Sequence, residues 1–364
     1  MKVLIPVWGF GKAGGNRVLS KLADELIDQK IQVDFICPEN SGPPYFPTKA
    51  GVIWVNTKGE IVGRPSEKKG SFISYLFSLT RGLKKIKLIS SYDVIFTNLN
   101  LTVYPALLAG LKSKVVYYIQ SYESGVYMAS GKSLKNFVLS LLARGTYHFG
   151  LFCIVNAEIF RSYKDIHCDR VLYPGIDFNN FFPPAQSKTG FSKIILGTIG
   201  RSIPSKGTRY IISAFKELFQ EYPNLELHIA FSSPEEFGVH PGIKYILPAN
   251  DEELGDFYRS LNYYLCAVYI EPGAFHYPVA EAMSCKVPVI TTKYYPANSN
   301  NAFMVDIQNS KDFVDQFKYA IEHPQIRETR VEKAFKDIRH LTWENSGRKL
   351  LRYLYEKTSS DTKE

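Results

Sequence analysis

Short apolar runs and longer amphipathic stretches alternate along the whole chain. The runs at 2–7, 31–37, 52–55, 94–97, 115–119, 151–155 and 170–173 predict strands. Helical periodicity appears between them at 16–29, 71–90, 103–111 and 134–145, and the first of these sets Val18, Leu19, Leu22 and Leu26 on one face. Pro174, Gly175 and the Pro183-Pro184 pair then open a polar stretch reaching Lys188, read as a linker. A second series follows. Strands are expected at 194–199, 225–231, 243–246, 263–268 and 287–290, and helices at 207–219, 252–261, beyond 311 and beyond 344. Ile211, Ile212, Phe215 and Phe219 form one stripe. Unbroken apolar runs suit strands buried on both faces, as in parallel sheets. Strands alternating with helices predict α/β, doubly wound sheets. The two series predict domains at 1–178 and 190–340, with a ligand in the cleft between their strand ends.

The chain has 364 residues, 45% of them hydrophobic and 14% aromatic, which excludes global disorder. Its charge is lopsided: residues 1–180 hold 22 Lys+Arg against 13 Asp+Glu, and the remainder holds 22 of each. The entire formal excess of +9 therefore lies in the first half and suggests an anionic partner there. Cysteines 37, 153, 168, 266 and 285 are scattered without metal-ligand spacing. The chain opens directly on a strand, and no apolar run is long enough to span a bilayer. The expectation is a soluble cytoplasmic protein, placed at the inner face of the membrane if the basic half contacts lipid.

Candidate chemistry gathers at predicted strand ends. Gly9-Phe10-Gly11-Lys12-Ala13-Gly14 satisfies GxGxxG and taken literally predicts an NAD-dependent dehydrogenase. That reading needs an acid closing the second strand, and Asp34 and Glu39 fit poorly. The alternatives are a backbone approach to phosphate or acceptor at Gly14-Gly15, or a tight turn without a ligand. Gly200-Arg201 and Lys206-Gly207 sit between a strand and a helix, where two cations can hold a diphosphate. The stretch 271–292, EPGAFHYPVAEAMSCKVPVITT, reads as loop, helix and strand, with Pro278 opening a helix that carries Glu281 in its first turn. A carboxylate there can accept from two ribose hydroxyls. Gln120 and Glu123 follow the strand at 115–119, Asp256, Phe257 and Tyr258 precede the 263–268 strand, and His276 lies in the 271–277 loop. Helix 71–90 sets Phe72, Leu76, Leu79, Leu83 and Ile86 opposite Arg81, Lys84 and Lys85, with Lys68, Lys69, Lys112 and Lys114 as further cations. It is read either as a membrane-resting helix or as a core helix with a solvated basic face. Nucleic acid is not an expected partner, because aromatics are not interleaved with the cations. With no Asp-x-Asp triplet, no metal is expected.

Glu281-Ala282-Met283 and Val287-Pro288-Val289-Ile290 resemble the C-terminal signature of glycosyltransferase family 4. Gly14-Gly15-Asn16-Arg17 is similar to that family's Gly-Gly turn, and Arg201 with Lys206-Gly207 to its cation pair. The departures are the first signature glutamate, with Glu271 ten positions before Glu281 rather than eight, Lys286 in place of a glycine, and no histidine near Gln120. The resemblance implies the GT-B fold, two Rossmann-like domains, with a last helix at 341–357 returning to the first domain. It implies retaining transfer of a sugar from a nucleotide-diphosphate donor to a saccharide or lipid-linked acceptor in cell-surface polysaccharide or glycoconjugate assembly, with no cofactor. Catalytic roles fall to Arg201, Lys206, Glu271 and Gln120. Donor contacts fall to Gly200, Tyr258, Gly273, Ala274, Phe275, His276 and Glu281. The acceptor side comprises Gly14, Gly15, Asn16, Arg17 and Glu123. The competing expectations are a catalytically silent nucleotide-sugar-binding protein and the dehydrogenase.

Overall fold

The computed structural model describes residues 1–11, 13–63, 65–66, 70–185 and 193–361. Lys12, Lys68, Lys69 and the end of the expected linker up to Lys188 lie outside the described residues. The chain divides into two compact units, one formed by Met1–Gly175 with Trp343–Glu364 and the other by Ile176–Thr342.

In the first unit β1 (Lys2–Pro6), α1 (Gly14–Asp28), β2 (Gln32–Pro38), β3 (Gly51–Val55), β4 (Ile61–Val62), α2 (Phe72–Ile89), β5 (Val94–Thr97), α3 (Asn100–Leu108), β6 (Val115–Ile119), α4 (Glu123–Ala129), α5 (Leu134–Tyr147) and β7 (Phe152–Val155) follow in turn. The sheet order is β4-β3-β2-β1-β5-β6-β7, parallel except for the β3–β4 pair. The second unit holds β8 (Ile194–Ile199), α6 (Thr208–Glu221), β9 (Leu225–Ala230), α7 (Pro234–Phe237), β10 (Ile243–Ile246), α8 (Asp251–Ser260), β11 (Tyr263–Cys266), α9 (Tyr277–Ser284), β12 (Val289–Thr291), β13 (Phe303–Met304), α10 (Ser310–Glu322) and α11 (Pro324–Ile338). Its six parallel strands run β10-β9-β8-β11-β12-β13. Both sheets reverse strand order at their centre, β1 beside β5 and β8 beside β11. That is the doubly wound pattern, whose ligands lie at the carboxyl ends of the strands flanking the reversal.

The cores follow the predicted stripes. α1 buries Val18, Leu19, Leu22, Ala23 and Leu26, and α6 buries Ile211, Ile212, Ala214, Phe215 and Leu218 against Leu196, Leu227 and Leu265. Each fully buried large side chain contributes roughly 1.5–3 kcal/mol. The last helix, α12 (Trp343–Asp361), belongs to the first unit: Ser346 donates to the Tyr173 carbonyl (2.8 Å), Tyr353 to that of Val171 (3.2 Å), and Glu356 pairs with Arg170 (3.1 Å).

Two local expectations change, and one open alternative narrows. Residues 170–173 form no strand; Val171 makes one isolated bridge to Val155. α2 buries Leu79, Leu83 and Ile86 in the core, so the greater part of its stripe is packing surface. Glu281 lies one turn into α9, because the helix begins at Tyr277 with Pro278 in its opening turn.

Candidate functional site

The second unit presents two loops at its strand reversal, after β8 and after β11. Gly200 closes β8 with its amide on the Ala230 carbonyl (2.7 Å), and a Cβ there would lie 2.5 Å from that of Ser232. Thr208, the first residue of α6, fixes the next residue twice: its Oγ1 accepts from the Arg201 amide (3.1 Å) and donates to the Arg201 carbonyl (3.2 Å). The Arg201 guanidinium is exposed, folds over the Phe231 ring at 5.3 Å and gives one N–H to the Gly200 carbonyl (2.9 Å).

A 3-10 turn, Pro204–Lys206, then delivers Lys206 beside the start of α6. Gly207 follows at φ +70°, and a Cβ there would collide with the Ala267 carbonyl, so this turn requires glycine. The Ser205 carbonyl accepts from the Tyr269 amide (3.0 Å), which ties the turn to the loop after β11. The Lys206 side chain makes no hydrogen bond or ion pair to a described residue. Burial holds its pKa below the ordinary lysine value; the Arg201 charge pushes the same way, while Cys266 and Glu271 oppose it. The loop after β8 thus carries two like charges just before a helix N-terminus, an arrangement that favours an anion.

The loop after β11 is held from several sides. Thr292 donates to the Val268 carbonyl (2.5 Å), and the Tyr294 hydroxyl bonds the Ile270 carbonyl. The Gly273 amide donates to the Lys293 carbonyl (2.7 Å), the Tyr295 amide to that of Ala274 (3.0 Å), and the His276 amide to that of Tyr295 (3.0 Å). Within this frame Glu271 adopts φ +56°, a conformation sparse for residues other than glycine. Phe275 packs edge-on to Tyr277. The half-buried His276 ring lies 5.2 Å from that of Tyr294, with Nδ1 3.8 Å from the Cys266 sulfur. Burial, reinforced by the Lys206 charge, pushes its pKa down to about 3, so the ring is neutral. Glu281 is 3% exposed, and its Oε2 accepts from the Tyr258 hydroxyl at 3.0 Å. Tyr258 was expected to touch the donor. It is fully buried instead, and positions Glu281 from α8.

In the first unit the Gly-Gly turn and Gln120 do meet: Gln120 Nε2 donates to the Gly15 carbonyl at 3.4 Å. Asn16 ties α1 back to the Gly11 carbonyl (3.2 Å), and Arg17 is buried. Glu123 is also buried. Its Oε2 accepts from the Asn100 amide at the start of α3 (3.0 Å), which makes it a helix-capping group rather than an open contact for an acceptor. Thr208, Thr292 and Tyr294 are site-building residues that sequence patterning did not single out; only the fold reveals their partners. Among the described residues no cluster of His, Cys, Asp and Glu could hold a metal ion, and no helix is long and apolar enough to cross a membrane.

A family model described as Glycosyltransferase Family 4 matches residues 13–180, and one described as Glycosyl transferases group 1 matches residues 193–323. The chain belongs to glycosyltransferase family 4. Among curated relatives, a D-inositol 3-phosphate glycosyltransferase of Corynebacterium jeikeium is 23% identical over 230 residues, 55% of this chain and 54% of that protein. The capsular polysaccharide biosynthesis glycosyltransferase CapM of Staphylococcus aureus is 23% identical over 282 residues, 65% of this chain and 72% of that protein. The chain thus spans about half the length of the first of these relatives. Among solved structures the fold is similar to sucrose-phosphate synthase from Thermosynechococcus elongatus (TM-score 0.77, 16% identity, 99% of this chain and 100% of that one). It is also similar to Anabaena HepE in complex with UDP-glucose (TM-score 0.68, 15% identity, 98% and 100%).

Family membership displaces the dehydrogenase expectation, and the geometry gives the reason. β1 ends at Pro6 and α1 begins at Gly14, so Gly9 and Gly11 lie in a loop rather than in a tight strand-to-helix turn. Asp34 is internal to β2 and accepts from the Tyr92 hydroxyl at 2.9 Å.

Proposed function

We propose that this chain transfers a sugar from a nucleoside-diphosphate donor to a saccharide or lipid-linked acceptor in cell-surface polysaccharide or glycoconjugate assembly. The pairing of Arg201 with the half-buried Lys206 beside the α6 N-terminus carries the reading, because two cations crowded together there favour a diphosphate. HepE, solved with UDP-glucose, makes a uridine diphosphate sugar the first donor to try, and CapM supports the polysaccharide context.

In this reading Glu281, oriented by Tyr258, holds the ribose, while Gly200 lets backbone approach the phosphates. The pinned loop from Glu271 through Gly273, Ala274 and Phe275 to the neutral His276 orients the sugar. The donor's bond from C1 to the phosphate oxygen breaks as the acceptor oxygen bonds to C1 on the same face, and the acceptor proton passes to the departing phosphate. Configuration is thereby retained. Arg201 and Lys206 stabilise the charge gathering on the diphosphate without a metal ion. Gly14, Gly15, Asn16, Arg17 and Gln120 form the acceptor side, and the basic first half rests against anionic lipid at the inner face of a membrane.

The test supplies UDP-glucose and related donors with candidate saccharide acceptors, in buffer with and without EDTA. Released nucleoside diphosphate is measured, and the product anomer is read by proton NMR. Turnover in EDTA with a retained anomer is expected; an inverted anomer or loss of turnover on chelation refutes the corresponding part. Donor binding without turnover would favour the silent binding protein, for which the displaced Glu271 is the observation.

A further inference from the structure

α5 is built inside out. Its inward face is small or polar: Ser140 shares a 2.8 Å hydrogen bond with Ser124 of α4, and Ala143, Thr146 and Tyr147 are buried beside it. Its outward face is large and apolar: Leu134, Phe137, Val138, Leu141 and Leu142 are 80, 50, 45, 53 and 38% exposed, respectively, at spacings that share one side of the helix. Ordinary surface helices show the reverse. Met128 on the neighbouring α4 is also exposed.

Lys132, Lys135 and Arg144 lie on or just before α5, and the acid that meets the helix, Asp165, is paired with Arg144. That pair is 2.8 Å apart, while Lys132 and Lys135 make no ion pair among the described residues. Such a surface repels a second copy of itself and attracts an anionic, apolar-cored partner, which is what an acidic bilayer offers.

We propose that the outward face of α5, with Lys132 and Lys135, is the element that inserts into anionic lipid. The inference rests on the membrane-contact reading above and moves the contact away from α2. There Arg81 donates to the Thr57 carbonyl (2.8 Å), Lys87 to that of Gly110 (3.0 Å), Lys85 faces Glu60, and Phe72 packs against Trp8.

The test sediments the full chain with vesicles of phosphatidylcholine alone or containing one quarter phosphatidylglycerol. Wild type should bind the acidic vesicles. Leu134→Ser/Phe137→Ser/Leu141→Ser should bind them more than tenfold more weakly. Lys132→Ala/Lys135→Ala should be weaker by about thirtyfold, at about 1 kcal/mol per cation. Ile73→Ser/Leu88→Ser on α2 should bind as wild type does. These sites are exposed, so thermal melts should show all variants folded. Wild type failing to bind acidic vesicles overturns the membrane-contact reading itself. Binding that survives in the α5 variants, or falls only in the α2 variant, overturns the assignment to α5 alone. Concentration-dependent dimerisation in light scattering that the α5 triple variant abolishes would make the face a protein interface and overturn the proposal.

Discussion

Replacing Lys206 by methionine should weaken diphosphate binding while leaving the unliganded protein at least as stable. Methionine keeps the aliphatic stem and removes a partly desolvated charge that lies near Arg201 and makes no hydrogen bond among the described residues. A hydrogen bond to a charged group is worth about 1.5–3 kcal/mol, which predicts about 10- to 150-fold weaker binding. In a thermal-shift assay, ligand at 100 times Kd stabilises by about 2.7 kcal/mol, or about 5–11 °C for a unit of this size. At the same ligand concentration a hundredfold weaker variant should retain about 1–2 °C. The pH dependence carries a second signature. The folded pKa of Lys206 lies below its unfolded value, so between the two the unfolded chain binds more protons. Wild-type stability should therefore climb with pH across that window towards the ordinary lysine value, and Lys206→Met should lack that climb. A variant that melts well below wild type without ligand, yet binds nucleoside diphosphates normally, would refute the reasoning.

Three further substitutions probe the frame around that charge pair. Gly207→Ala places a methyl group against the Ala267 carbonyl at φ +70°, and should lower the urea-unfolding free energy by about 2 kcal/mol or more. Tyr258→Phe removes the hydroxyl donating to Glu281 and should cost about 1.5–3 kcal/mol in the same assay, with weakened nucleotide binding. His276 has a folded pKa of about 3, so its contribution to stability is present above the unfolded histidine value and is lost as pH falls towards 3. His276→Gln should flatten that part of the acid-unfolding profile, and an unchanged profile would show that this ring does not carry the loss.

The doubly wound units were legible because unbroken apolar runs and 3.6-residue stripes alternate without interruption, and most of the predicted strands formed. Lys286 also fits the family pattern in a way the sequence only hinted at. It stands where glycine is usual, and it adopts φ +54° just past α9. What the sequence concealed is long-range. Nothing near Tyr258 announces that its hydroxyl reaches Glu281, and nothing near Glu123 announces that it caps α3, because such bonds depend on how helices pack on the sheet. Helix 71–90 stayed ambiguous for a related reason: an apolar stripe opposite cations fits both a core helix and a membrane helix, and only burial separates them. α5 was legible as a helix, yet the direction of its apolar face became visible only when Ser140 and Ala143 were found pointing inward.

The most direct measurement is calorimetric titration of nucleoside diphosphates, UDP first, with NAD as control, against wild type, Arg201→Ala and Glu281→Ala. One nucleoside diphosphate should bind wild type with a single site, both variants should bind it at least about tenfold more weakly, and NAD should not bind. Undiminished nucleotide binding by both variants, or binding of NAD alone, would contradict the assignment of the donor to these residues.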